Sequence, residues 1–358
     1  MALGVNVGIV DTAGSFWRVL REVSPGGIAR EAEQSFCVLI CGQPGVGKSA
    51  LRGALNGGEW PSDLTLPYLR VIEGVPADTY GASLCLYVLD ASRGLFNDDW
   101  QAASFLESRG VPLVYVYNKM DRVADARSFR EEARRALGVV ADVLAFVEAT
   151  DAEDVRQNLV PAMLRAAPGL QLALGRRLPA FRDEAAAQVI LQTSRVNAEF
   201  ALLSSLPTSI PLLGVGSAGA DMAVLTKNQA MMLLKLAAIY GRSLHSKTQL
   251  LVEIAPVVGA AFLWRTAART AVGLLPGFAA AAPKTLIAFV GTYLVGRGAQ
   301  HYYRLGQRPS REALERYARE ARELARRSLP RIELPARVDF WALLPPGRRD
   351  EACGSGAE

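Results

Sequence analysis

The stretch GQPGVGKS, residues 42–49, has the residue types and spacing to hold a chain of phosphates. Gly42, Gln43, Pro44, Gly45, Val46 and Gly47 would turn a strand into a helix, with backbone N–H groups facing inward around a β-phosphate. The first helical residues, Lys48, Ser49 and Ala50, add the partial positive charge of a helix N-terminus. Lys48 is expected to reach the β- and γ-phosphate oxygens, and the Ser49 hydroxyl to take a place around Mg²⁺. The competing reading is a Gly-rich strand-to-helix turn with no ligand.

A second cluster, NKMD at residues 118–121, has the chemistry to read a base. The Asp121 carboxylate can accept from the N1–H and the exocyclic amine of guanine, a donor pair that adenine lacks. A site built for such bonds penalises a ligand without them by roughly 10⁴-fold, because its buried acceptor is left unpaired. The Lys119 stem is expected to cover the base face, and Asn118 to tie this loop to the phosphate loop. The bland alternative is Asp121 as the N-cap of a solvated helix. In FVEATDAEDV, residues 146–155, the Ala149 N–H is expected to meet the guanine O6 and Thr150 to brace the turn, on position alone.

Between these clusters a carboxylate for the magnesium shell is needed. Glu73 ends the run YLRVIEG and is expected to reach Mg²⁺ through water, the alternative being a strand-end carboxylate in solvent. Asp78 and Gly81 match the letters D-x-x-G, but Gly81 abuts the next strand. A second match at residues 11–14 precedes the phosphate loop. Thr65, the one threonine of NGGEWPSDLTLP, is a candidate second metal ligand. Asp90, ending CLYVLD, could instead serve as the acid of a P-loop ATPase, a reading that NKMD opposes.

These residues need a scaffold, and residues 36–167 supply one. Short apolar runs (FCVLIC, YLRVIEG, SLCLYVLD, PLVYVYN, VLAFVEA) alternate with helical stretches (KSALRGALN, DDWQAASFLESRG, ADARSFREEARRALG, DAEDVRQNLVPAMLRAA). Strands alternating with helices predict an α/β domain with a parallel sheet wrapped on both faces. Before it, residues 1–35 read as a helical segment broken at Pro25, Gly26 and Gly27. Residues 168–306 are apolar and helical, punctuated by Gly and Pro. Residues 307–358 hold a charged helix starting at the N-cap Ser310, with the pairs Glu312/Arg316, Glu315/Arg319 and Glu323/Arg327, followed by a polar tail.

The three clusters, in this order, resemble the Era-like, translation-factor-related GTPases over residues 36–167. The resemblance implies a P-loop sheet, GTP or GDP and Mg²⁺ as ligands, and switching by hydrolysis. The family's second strand has little sequence to be made from here, and its switch helix almost none. Slow or absent intrinsic hydrolysis is therefore expected. Residues 205–241, through Pro211, Asp221, Leu225, Gln229, Met232, Tyr240 and Gly241, resemble the helical domain of unknown function found in certain bacterial GTPases and inner-membrane proteins.

The chain of 358 residues is half hydrophobic and carries a formal charge of +5. That is a mild basic excess without a reader motif, so no DNA partner is expected. Four cysteines without ligand spacing indicate a reducing cytoplasm. The segments around residues 200–220, 270–283 and 285–296 are each too short or too broken for a clean membrane span, which wants about 20 apolar residues. Packing as a soluble or peripheral bundle and insertion at the inner membrane both remain open. The expected partners are guanine nucleotide, membrane lipid or a membrane protein, and, by family analogy, the ribosome. The alternative function is a pseudo-GTPase scaffold.

Overall fold

The computed structural model describes residues 25–57, 67–74, 78, 81–95, 105–106, 108–136, 143–204, 218–244 and 281–329. Thr65, the match at residues 11–14, the apolar segment 251–280 and the polar tail lie outside them. The chain divides into two compact units, one comprising residues 29–185 and the other residues 1–28 with 186–358.

The first unit is α/β. Its sheet has five strands, β1 (Val38–Cys41), β2 (Leu69–Val71), β3 (Leu84–Asp90), β4 (Leu113–Asn118) and β5 (Leu144–Phe146), in the order β2-β1-β3-β4-β5, all parallel. Every residue of β1, β3 and β4 is buried, as expected for strands covered on both faces that read as continuous apolar runs rather than alternating ones. One face carries Leu39, Cys85, Tyr87, Tyr115, Tyr117 and Phe146. There helix α3 (Ala126–Ala136) sets Phe129 edge-on to Tyr117, with ring centroids 5.2 Å apart. On the other face, α2 (Lys48–Leu55) and α4 (Ala152–Ala166) pack against each other. They cover β1 and β2, and β4 and β5, respectively.

The sequence changes character at Pro168, yet the sheet unit continues to Ala185. The physical reason is a set of contacts made by residues 168–185. Gln34, just after α1 (Gly26–Glu33), donates to the Gly169 carbonyl (2.6 Å). Arg176 of α5 (Gln171–Arg177) pairs with Glu33, and Arg177 lies over the Tyr68 ring.

The second unit is helical: the later turns of α6 (Arg182–Leu203), then α7 (Ala218–Ile239), α8 (Ala281–Leu305) and α9 (Arg311–Ser328). At its centre a polar knot links three helices. Thr292 Oγ1 accepts from Asn197 (2.9 Å) and Gln229 (3.0 Å), and Asn197 Oδ1 accepts from Asn228 (2.8 Å). Buried amides need such partners, and pairing them with one another fixes the rotation of each helix. Gly241 ends α7 with φ 75, while the Arg242 N–H reaches the Ala237 carbonyl and the Gly241 N–H that of Ala238. This is the Schellman closure expected of glycine at that place. Ser310 caps α9 as the sequence predicts, accepting from the Ala313 N–H (3.2 Å). Of the three ion pairs expected along α9, Glu323–Arg327 forms (2.9 Å), whereas Glu315 turns back to Arg311 (3.2 Å) rather than forward to Arg319. α8 runs unbroken through Lys284, the charge that lies between the apolar segments 270–283 and 285–296. Among the described residues no helix is long and apolar enough to cross a membrane.

Candidate nucleotide-binding site

Strand β1 delivers Cys41 into the loop that becomes α2, and two glycines there tolerate what no other residue would. Gly42 has φ 140, and a Cβ on it would run into the Val88 carbonyl. Gly47 has φ 100, and its Cβ would strike the Asn118 side-chain amide. Left-handed backbone together with this close approach restricts both positions to glycine. Among the described residues, the N–H groups of Gly45, Val46, Gly47, Lys48, Ser49 and Ala50 donate to no carbonyl. The first to find one is Leu51, on Gly47 (3.0 Å). Six open donors at the start of a helix have the chemistry to bond an anion. Pro44, Gly45 and Ser49 lie at its exposed surface.

Lys48 is buried to 3% exposure, and its ammonium bonds the carbonyls of Gly42 (2.9 Å) and Gln43 (2.6 Å) and Glu73 Oε2 (2.8 Å). Glu73 lies just past β2. Its neighbour Gly74 exchanges two backbone bonds with Gly42 (3.0 and 2.8 Å) in an isolated antiparallel bridge. Glu73, expected beside magnesium, therefore meets Lys48 directly. Asp78 and Gly81 are described, but the two residues between them are not.

At the end of β4, Asn118 does what its place in NKMD predicts for a loop tie. Its Nδ2 donates to the Val46 carbonyl (2.7 Å), and its Oδ1 accepts from the Ala149 N–H (2.8 Å). The second bond corrects the expectation for Ala149. Its N–H is already engaged by Asn118 and does not stand open toward a base. The next N–H, that of Thr150, makes no bond among the described residues, while the Thr150 hydroxyl braces the turn through Glu148 (2.9 Å). Asp121 sits in a 3-10 turn, Met120–Arg122, with its side chain 42% exposed and, among the described residues, the adjacent Arg122 as its one charged neighbour, at 3.8 Å. Among the described residues it caps no helix: Asp125 takes that place before α3, accepting from the Ser128 N–H (2.9 Å).

Lys119 takes the left-handed conformation (φ 63) and reaches Asp90 Oδ2 at 2.6 Å. Asp90 ends β3, the strand next to β4, and its side chain is 3% exposed. Burial alone would raise its pKa. The Lys119 ammonium and the Ser92 hydroxyl and N–H outweigh that and hold the carboxylate below its ordinary value. The sequence reading weighed Asp90 only as an ATPase acid and missed it as the partner of Lys119. The available signal was the register, because Asp90 pairs directly with Asn118 once β3 and β4 are neighbours.

Below the loop, the thiols of Cys41 and Cys85 lie 3.5 Å apart. Their mutual hydrogen bond and burial push the Cys85 thiol far up, so it behaves as inert filling. Among the described residues no three His, Cys, Asp or Glu side chains cluster to cage a metal. Mg²⁺ needs no such cage, since it keeps several waters and binds through one or two protein oxygens and the substrate phosphates. The Ser49 hydroxyl and the Glu73 carboxylate, both exposed, are oxygens of the kind that such a site takes. No protein-family model matches the chain, and a comparison with curated proteins returns no match.

Proposed function

We propose that this chain is a regulatory guanine-nucleotide-binding protein of the P-loop GTPase type, holding GTP or GDP with Mg²⁺ and hydrolysing GTP slowly or not at all. The observation that carries the reading is Asn118. One buried side chain ties the donor-lined 42–49 loop to the loop of residues 147–150, so a cradle for phosphate and a donor–acceptor set for a base belong to one site. Lys48 supplies charge to the phosphates, Ser49 and Glu73 supply oxygens for the metal, and Asp121 reads the base. A bound metal would neutralise charge at the phosphates. Slow turnover follows from the connections on either side of β2, residues 56–68 and 72–83, which leave little chain to position a water for attack.

The helical unit is the partner-facing part in this reading, with a lipid surface, a membrane protein or the ribosome as candidate partners on the cytoplasmic side. A second reading, a scaffold whose nucleotide site is vestigial, draws on the fact that every proton of Lys48 already has a protein acceptor.

Titration of the full chain with GTP, GDP and ATP tests the proposal. Guanine nucleotides should bind at least 10³-fold tighter than ATP, the scale of a site that hydrogen-bonds its ligand's distinguishing groups. Lys48→Ala should weaken both guanine nucleotides. Asp121→Asn replaces an acceptor with a donor and should shift preference toward xanthine nucleotides, which carry a carbonyl where guanine has its amine. Equal affinity for GTP and ATP, or an Asp121→Asn variant with unchanged base preference, defeats the assignment. Equal affinity for GTP and GDP would favour the scaffold, because a ligand pair bound alike shifts no equilibrium.

A further inference from the structure

A lysine ammonium has three protons to donate, and Lys48 has committed all three. Two go to the carbonyls of Gly42 and Gln43, which belong to the loop itself, and the third goes to Glu73 Oε2 at 2.8 Å. The carbonyls cannot leave without unmaking the loop. The carboxylate can: the Glu73 side chain is 67% exposed while that of Lys48 is 3% exposed. Its backbone cannot drift, because the adjacent Gly74 is bonded in both directions to Gly42. The result is a carboxylate with a fixed base and a free tip, resting on the cation a phosphate would need.

We propose that Glu73 is an internal stand-in for phosphate, which a nucleotide must displace from Lys48 in order to bind. The proposal rests on the reading of this loop as a nucleotide site and adds to it a built-in competitor. The displaced carboxylate stays tethered beside the incoming phosphates, and like charges at such range oppose each other. A divalent cation shared between them would relieve the repulsion. Glu73 therefore sets how strongly binding depends on magnesium.

The test measures GDP and GTP affinity by calorimetry for the full chain and for Glu73→Gln, each in excess Mg²⁺ and in EDTA, with Lys48→Ala as the control for the site. Glu73 is exposed, so the Gln variant should fold, and its melting temperature checks this. Glu73→Gln should bind about three- to tenfold tighter than the native chain in EDTA, the scale of one partly exposed charge interaction. The gap should narrow in Mg²⁺. Glu73→Asp, one methylene shorter, should fall between the two. Binding by Glu73→Gln where the native chain binds nothing would also support the stand-in. Equal affinities in both buffers would overturn it while Lys48→Ala still abolished binding, leaving the nucleotide reading intact. Weaker binding of Glu73→Gln confined to Mg²⁺ would overturn it in favour of a purely metal-supporting role. Absence of binding in every variant would overturn both.

Discussion

Replacing Asn118 with alanine removes one side chain and strands two backbone groups. The Val46 carbonyl loses its 2.7 Å donor and the Ala149 N–H its 2.8 Å acceptor. Asn118, Val46 and Ala149 are 3%, 0% and 4% exposed, so water cannot freely take over. A buried group left without its partner costs about 1–3 kcal/mol, so two of them give about 2–6 kcal/mol. For a unit of this size about 1 kcal/mol moves the melting temperature by about 2–4 °C, which predicts a fall of roughly 5–20 °C. Urea titration followed by circular dichroism would read the loss as a lower midpoint at unchanged slope. Asn118→Asp isolates one half of the effect, since it can still accept from Ala149 but cannot donate to Val46. A loss within about 0.5 kcal/mol for Asn118→Ala, the size of an ordinary surface change, would refute the view that this residue fastens the two loops.

Two further perturbations probe the ion pair and the helical unit. Because Asp90 is held below its ordinary value, the stability it supplies is complete above the unfolded carboxylate pKa of about 3.9 and is lost as the pH falls through the lower folded value. Asp90→Asn should therefore be less stable than the native chain by a constant amount from about pH 5 to 7. The two curves should converge in acid, and unfolding free energies measured across that range decide it. In the helical unit, a Cβ on Gly296 would come within 2.7 Å of Ile190 Cγ1 and 3.1 Å of Met232 Sδ. Gly296→Val should cost about 1–3 kcal/mol by overpacking, part of which Ile190→Ala in the same chain restores. Additive losses in the double variant would sink that account.

The strands of the sheet were legible because they are apolar runs set between helical stretches, and SLCLYVLD and PLVYVYN became β3 and β4 to within a residue. The loop at residues 42–49 was legible from its glycines, and the tie made by Asn118 from its place after a strand. What could not be read were contacts that exist only once strands lie side by side. Lys48 meets Glu73 across 25 residues of sequence and Lys119 meets Asp90 across 29. Neither spacing is a pattern, because a lysine's reach is set by sheet order and not by sequence distance. Ala149 misled for a related reason: its motif position suggested an open N–H, but the side chain of Asn118 already holds it. The extension of the sheet unit to Ala185 likewise depends on single long-range contacts such as Gln34 to Gly169, which carry no periodicity.

The bridge between Gly42 and Gly74 places two amides outside every strand yet as well bonded as those within one. In deuterium these two protons should exchange on the slow timescale of the central sheet. Those of residues 45–50, a few ångströms further along the same backbone, should be gone early. The frontier between sheltered and open backbone thus runs through the middle of a single loop. Ligand occupancy could be followed there as newly slowed exchange against a neighbour that never changes.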